Sequence, residues 1–118
     1  MSRKRGQDYE IHAARYLEKQ GYAVVARNVS YVFGEIDIIA KDKKTLVFVE
    51  VKYRKNDSVS APFEAVTRSK QRKIIKAAQA YLQNLSFMSD CRFDVISMTG
   101  SETTFKIEHI KDAFWDEG

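Results

Sequence analysis

Residues 34–54, GEIDIIAKDKKTLVFVEVKYR, constrain the fold of this chain more than any other stretch. Two apolar runs rich in β-branched residues flank the charged quartet Lys41-Asp42-Lys43-Lys44. That is the pattern of a β-hairpin, with strands at about 33–40 and 45–54. Side chains alternate faces along a strand, so Glu35 and Asp37 share a face, as do Glu50 and Lys52. A symmetric turn sets Ala40 opposite Thr45, Asp37 opposite Phe48 and Glu35 opposite Glu50. The four polar groups then lie on one sheet face, and Ile36, Ile38, Val47, Val49 and Val51 fill the other.

Three carboxylates and one lysine on a small patch repel one another unless a cation intervenes. A magnesium-sized ion suits such a patch, because it takes oxygen ligands from one or two carboxylates and completes its shell with water and phosphate oxygens. A lysine supplies a mobile positive charge for a phosphate or a water nucleophile. The alternative is a set of solvated side chains on the outer face of a half-exposed sheet. The density of acids on an otherwise apolar hairpin weighs against it.

Elsewhere the chain reads in simple units. A helix is expected over about 6–20, ended by Gly21, with Tyr9, Ala13, Tyr16 and Leu17 as its core stripe. At 100° per residue, Glu10 falls about 20° from Leu17, about 40° from Ala14 and about 60° from Ala13, within the apolar arc. Its bland explanation is the favourable placement of an acid in a first helical turn. His12 lies on the opposite side and reads as solvent-facing, and His109 as isolated. A strand over about 22–31 is interrupted at Arg27 and Asn28, a candidate bulge. A polar loop at about 55–62 follows the hairpin and borders a substrate groove by adjacency. Thr67 caps a second helix reaching about residue 85, with Ile74, Ala77, Ala78, Tyr81, Leu82 and Leu85 inward. Its first turns carry Arg68, Lys70, Arg72, Lys73 and Lys76 against the helix dipole. Either a phosphate-contacting surface or a solvated face accounts for them. Lys70, about 40° from Ile74, borders the buried stripe. Strands at about 92–98 and 103–109 close the chain, with Asp94 structural, edge-exposed or supporting the site. Ala113, Phe114 and Trp115 are available to pack back on the core.

Length and composition bound the rest. The 118 residues make one domain, 1–118. Lysine and arginine number 20 against 16 acids, a net +4 that is compatible with a polyanionic partner without requiring one. A single cysteine, Cys91, excludes an internal disulfide and fits a reducing cytoplasm. No run is long enough to span a membrane, and no secretory signal precedes the first helix.

The string GEID…FVEVK, an acid followed after about a dozen residues by Glu-x-Lys on an apolar strand, resembles the PD-(D/E)xK nuclease superfamily. Within it, GEIDIIA and LVFVEVKYR are similar to the YraN-like family of small bacterial proteins, related to archaeal Holliday junction resolvases. The match runs from about residue 6 to 114. One departure is that Ile36 stands where the superfamily has a proline before the aspartate. The resemblance implies an α/β, restriction-endonuclease-like sandwich: a mixed central sheet flanked by helices, in the order αβββαββ. It also implies hydrolysis of phosphodiesters, in structured or branched DNA, with Mg²⁺ or Mn²⁺ held by Asp37, Glu50, the Val51 carbonyl and Glu10. Lys52 then completes the catalytic set, Glu35 is an accessory acid, and Arg54, Lys70 and Gln71 contact nucleic acid. A homodimer follows by analogy with resolvases that cut two strands. Two rivals stand beside this reading: a nucleic-acid-binding module that keeps the fold without cutting, and a protein-interaction subunit with incidental acids.

Overall fold

A computed structural model describes residues 2–54, 66–101 and 104–115, with side chains from Tyr9 onward in the first helix. The elements run α1 (Ser2–Lys19), β1 (Ala23–Tyr31), β2 (Gly34–Asp42), β3 (Thr45–Arg54), α2 (Arg68–Gln83), β4 (Cys91–Gly100) and β5 (Phe105–Phe114). This is the expected order αβββαββ in an α/β architecture. The five strands form one mixed sheet in sequence order, β1-β2-β3-β4-β5. Only β3 and β4 pair in parallel, across the connection that contains α2. The loop expected at 55–62 lies outside the described residues.

Each helix begins and ends where its sequence allows. Gly21, at φ 95°, adopts the left-handed conformation that turns the chain out of α1. Thr67 caps α2, its side chain accepting from the Lys70 N–H at 3.1 Å. The inward stripe of α2 gains one residue over the sequence reading, since Ile75 is buried with Ile74, Ala77 and Ala78.

The two helices cover opposite faces of the sheet, as expected of a central sheet flanked by helices and against the alternative of a half-exposed one. Ile39, Leu46, Phe48, Phe93 and Val95 pack in a cluster with Ile74, Ile75, Ala77 and Ala78 of α2. Ile38, Ala40, Val47, Val49, Ile96 and Met98 pack with Tyr9, Ala13, Ala14 and Leu17 of α1. Burial on both faces explains why β2 and β3 read as nearly continuous apolar runs.

The hairpin register is also corrected. Asp42 pairs with Thr45, Ala40 with Val47 and Ile38 with Val49, so the turn is the two residues Lys43-Lys44, with Lys43 at φ 57°. Asp37 is therefore not opposite Phe48, and Glu35 is not opposite Glu50. A tight two-residue turn with a positive φ matches the twist of antiparallel strands better than the open four-residue turn. Further departures concern the edges. The first strand's register shifts between Val24 and Ala26, while Asn28 takes φ 54°. The last strand runs on to Phe114, absorbing most of the expected tail; Phe114 is buried, and Trp115 is exposed and packs on nothing comparable.

Candidate functional site

Alternation along β2 breaks at Asp37. Ile36 and its partner Val29 pack on the α2 side, as Ile39 does, whereas Ile38 packs on the α1 side. The left-handed Asn28, between Arg27 and Val29 on β1, takes up the same slip on the neighbouring strand. Pairing of β2 with β3 also stops at Ile38–Val49, although both strands continue. The Val51 N–H, released from that ladder, donates to Asp37 Oδ2 at 2.9 Å. Asp37 thus sits in a notch between two diverging strands, open to groups from both faces.

Glu50 enters the notch from the α2 face. Its Oε2 lies 3.7 Å from Lys52 Nζ and 4.0 Å from Lys70 Nζ. Glu50 and Asp37 are both buried, and their carboxyls are close enough to share a proton. Burial first, and then the charge of Asp37, push Glu50 up to about 8, with Lys70 and Lys52 opposing. Asp37 is likewise raised by burial, against the hydrogen bond from Val51. Glu10 enters from α1. Burial and the charge of Asp37 push it up to about 7, while a hydrogen bond with the Asn28 side chain opposes the rise. One oxygen of Glu10 and one of Glu50, Oε1 in each case, are buried without a hydrogen-bond partner among the described residues.

These features fit a cation. Two buried oxygens without partners and carboxylates that resist joint ionisation are what an ion would satisfy. Among the described residues no three His, Cys, Asp or Glu side chains form a metal-binding group. The residues that could hold an ion are accordingly the pair Asp37–Glu50, with Glu10 near enough to feel the charge of Asp37, a sparse set of the kind Mg²⁺ accepts.

The remaining candidates are distributed unevenly. Glu35 is exposed and pairs with Ser30, whose hydroxyl donates to it at 3.2 Å; it reaches Asp37 and Glu10 only through its charge. Gln71 uses its amide to donate to the Val66 carbonyl at 3.0 Å, tying down the start of α2. Arg54 is half-buried at the end of β3. Val51 contributes its N–H to the site through Asp37. Two participants escaped the sequence reading. Asn28 signalled only a bulge. Ser97 pairs in register with Lys52 on parallel β4 and is buried, its Oγ without a partner. A lone serine in an apolar strand was the available signal.

Neither histidine keeps its expected place. His12 is half-buried, its ring 5.0 Å from that of Phe105. His109 is buried in a polar network with Asp94, Arg92, Tyr16 and Tyr22, on the sheet face that α1 covers. Asp94 is fully buried rather than edge-exposed.

A residue model of the Uncharacterised protein family UPF0102 matches residues 9–98, a span that contains Glu10, Asp37, Glu50, Lys52 and Lys70. The chain belongs to the UPF0102 family. A UPF0102 protein of Chlorobium chlorochromatii is 48% identical over 118 residues, covering 95% of this chain and 92% of the relative. The UPF0102 protein YraN of Escherichia coli is 44% identical over 118 residues, covering 98% of this chain and 87% of its own. A UPF0102 protein of Psychromonas ingrahamii is 45% identical over 103 residues, covering 87% and 84% respectively. This family membership agrees with the YraN-like resemblance read from the sequence. Among the described residues of this UPF0102 chain, no helix is long and apolar enough to cross a membrane.

The crowded acids of this family member have a measurable consequence. Glu50 is raised from 4.5 to about 8 on folding, so the folded state binds more protons than the unfolded chain between those values. Stability from this group is therefore present below about pH 4.5 and lost as pH rises through 8. Without divalent cations, Tm is expected to fall between pH 5 and pH 8, and Mg²⁺ or Mn²⁺ to restore part of the loss. Asp37→Asn keeps an acceptor for Val51 N–H and removes the repulsion. It is expected to raise stability at pH 8 by about 2 kcal/mol, roughly 5–10 °C in Tm, and to flatten the pH slope. A drop in metal-free Tm for Asp37→Asn would make Asp37 a structural acid.

Proposed function

We propose that this chain is a metal-dependent nuclease of the PD-(D/E)xK type, with a restriction-endonuclease-like fold, that hydrolyses phosphodiesters in structured or branched DNA. The observation that carries the reading is the pair of buried carboxylates, Asp37 and Glu50, facing two lysines and approached by Glu10 from the other side of the sheet. The mixed sheet and the order αβββαββ support it.

Asp37 and Glu50, with Glu10, would hold Mg²⁺ or Mn²⁺. When bound, the ion supplies Lewis-acid polarisation of a phosphoryl oxygen and lowers the pKa of a water. The chain's own groups do the rest. The Val51 N–H holds the Asp37 carboxylate in one orientation. Lys52, two residues beyond Glu50 on the same face, holds a water or the scissile phosphate and offsets the negative charge that develops in the transition state. Lys70, from α2, adds a second positive charge beside the same oxygen of Glu50. Apolar packing on both faces keeps the notch at low dielectric, where these charges act most strongly.

The test is purified protein on junction, flap, duplex and single-stranded DNA with Mg²⁺ and with Mn²⁺. Metal-dependent cleavage of at least one substrate is expected, abolished by chelation. Steeply salt-dependent binding without cleavage would instead favour the non-catalytic binding module, because counterion release marks phosphate contact.

A further inference from the structure

The turn between β1 and β2 consists of Val32 and Phe33, since Tyr31 pairs with Gly34. Two-residue hairpin turns favour Asn, Asp and Gly, which reach positive φ cheaply. Here a β-branched and an aromatic residue occupy the turn, and neither has a positive φ. Val32 is 106% exposed, and Phe33, whose ring meets that of Tyr31, is still 41% exposed. Folding alone gives no reason for apolar side chains at this tip.

The tip is nevertheless rigidly backed. The Phe33 ring stacks parallel on that of Tyr31, with centroids 5.5 Å apart, and Tyr31 itself packs against the α2-side cluster. Behind it, Gly34 approaches α2 so closely that a Cβ there would sit 2.7 Å from the Lys73 carbonyl oxygen. The tip therefore moves with α2, on the sheet face that presents Glu50, Lys52 and Lys70. That helix carries Arg68, Lys70, Arg72, Lys73 and Lys76 and no acid. Lys73, whose carbonyl meets Gly34, is exposed, as are Arg72 and Lys76. Glu35, an exposed acid two residues past the tip, accepts from the Ser30 hydroxyl. An aromatic face with an exposed aliphatic neighbour, set beside a run of cations, matches a nucleic-acid strand in both chemistries: bases stack on the ring and phosphates meet the cations.

We propose that Val32 and Phe33, braced by Tyr31, form a wedge that stacks against an unpaired base where a duplex opens, with the adjoining strand running along the basic face of α2. This rests on the nucleic-acid reading above and adds to it a preference for branched or frayed ends. Four residue steps along the strand lead from Phe33 to Asp37, about 13 Å. At about 3.4 Å per nucleotide along a strand, cleavage falls about three to four nucleotides from the branch point.

The experiment compares binding of a 30-bp duplex with a fork of the same length carrying 2-aminopurine at the first unpaired position, in Ca²⁺. The wild type is expected to prefer the fork at least tenfold and to change the probe's fluorescence. Val32→Ser combined with Phe33→Ala should bring that ratio within about twofold and remove the fluorescence change, while Phe33→Trp preserves both. Should the double variant fail to fold, Phe33→Leu, which keeps apolar bulk without a π-face, is expected to lose the fluorescence change alone. An undiminished fork preference in a folded variant that still binds DNA overturns the wedge and leaves the nuclease reading standing. A wild type that binds neither DNA overturns both. A loss of self-association in the variant, with DNA binding unaltered, assigns the tip to a second copy of the chain and overturns the wedge as well.

Discussion

Lys52→Ala is expected to slow DNA cleavage about a hundred- to a thousandfold while weakening DNA binding only a few-fold. The large effect comes from position. Lys52 Nζ lies 3.7 Å from Glu50 Oε2, where, in the proposed mechanism, it would face the charge that develops on a phosphate held at the notch. Removing one fixed donor from such a place typically costs that much in rate. The small effect comes from number, since on the proposed reading Lys52 would make one phosphate contact among several, and such contacts position without specifying. Lys70 Nζ, 4.0 Å from the same oxygen, can supply part of the missing charge. The variant lacking both lysines should therefore lose more activity than Lys52→Ala, and Lys70→Ala alone should lose less. Single-turnover cleavage rates and fluorescence anisotropy on one substrate separate the two effects. Cleavage by Lys52→Ala at the wild-type rate would remove Lys52 from the mechanism.

Asp94→Ala is expected to destabilise the fold by about 3–5 kcal/mol, because it removes the buried acceptor shared by Arg92, His109 and the Asp112 N–H and leaves those donors unsatisfied. Asp94 receives Arg92 Nε at 2.9 Å and Nη2 at 3.0 Å, and the Asp112 N–H at 3.0 Å. His109 Nε2 lies 2.7 Å from Oδ2. A carboxylate has no hydrogen to give, so Nε2 is the donor, and Nδ1 lies 3.3 Å from the Tyr16 hydroxyl. Arg92 reaches on to Asp42 at 3.2 Å and to the Tyr22 hydroxyl at 2.7 Å. One carboxylate thereby joins β2, β4, β5 and the end of α1. The bulge explains why it is needed. Register between β4 and β5 shifts at Asp94, and Asp112, at φ 55°, presents an N–H that the ladder does not use. Urea unfolding should show the loss as a lower midpoint with an unchanged slope. A change below 1 kcal/mol would make the network incidental.

The two groups of acids give opposite pH dependences. Burial alone would raise Asp94, but His109, Arg92 and the Asp112 N–H outweigh it and hold the carboxyl below its usual 3.8. Its contribution is therefore present above pH 3.8 and lost as pH falls through the lower folded value. Glu50 acts in the other direction, losing its contribution as pH rises toward 8. The metal-free protein is expected to be most stable between these limits, near pH 4–5. Divalent cations should extend the plateau upward, because a cation favours the ionised acids.

The sequence by itself determined the elements and marked the residues of the candidate site. Short apolar, β-branched runs bounded by turn residues and the helical stripes on α1 and α2 are local patterns, and they placed all seven elements in order. Glu50 and Lys52 needed only alternation along one strand to share a face. Glu10 needed only the helical angle to be marked as lying within a buried arc. What tertiary structure decided is how these pieces meet. The reading brought Asp37 to Glu50 through a symmetric four-residue turn, and that register is not the one formed. They meet because β2 and β3 part after Ile38–Val49 and Asp37 captures the released Val51 N–H. A register is set by the turn's backbone twist, and a slip in alternation by packing on both faces at once; neither leaves a periodic trace in the residues. The same holds for His109, isolated in the chain at position 109 but bonded to Asp94 through the pairing of β4 with β5. Alternation along one strand is encoded locally, but the partner across a bulge is chosen only when the sheet closes.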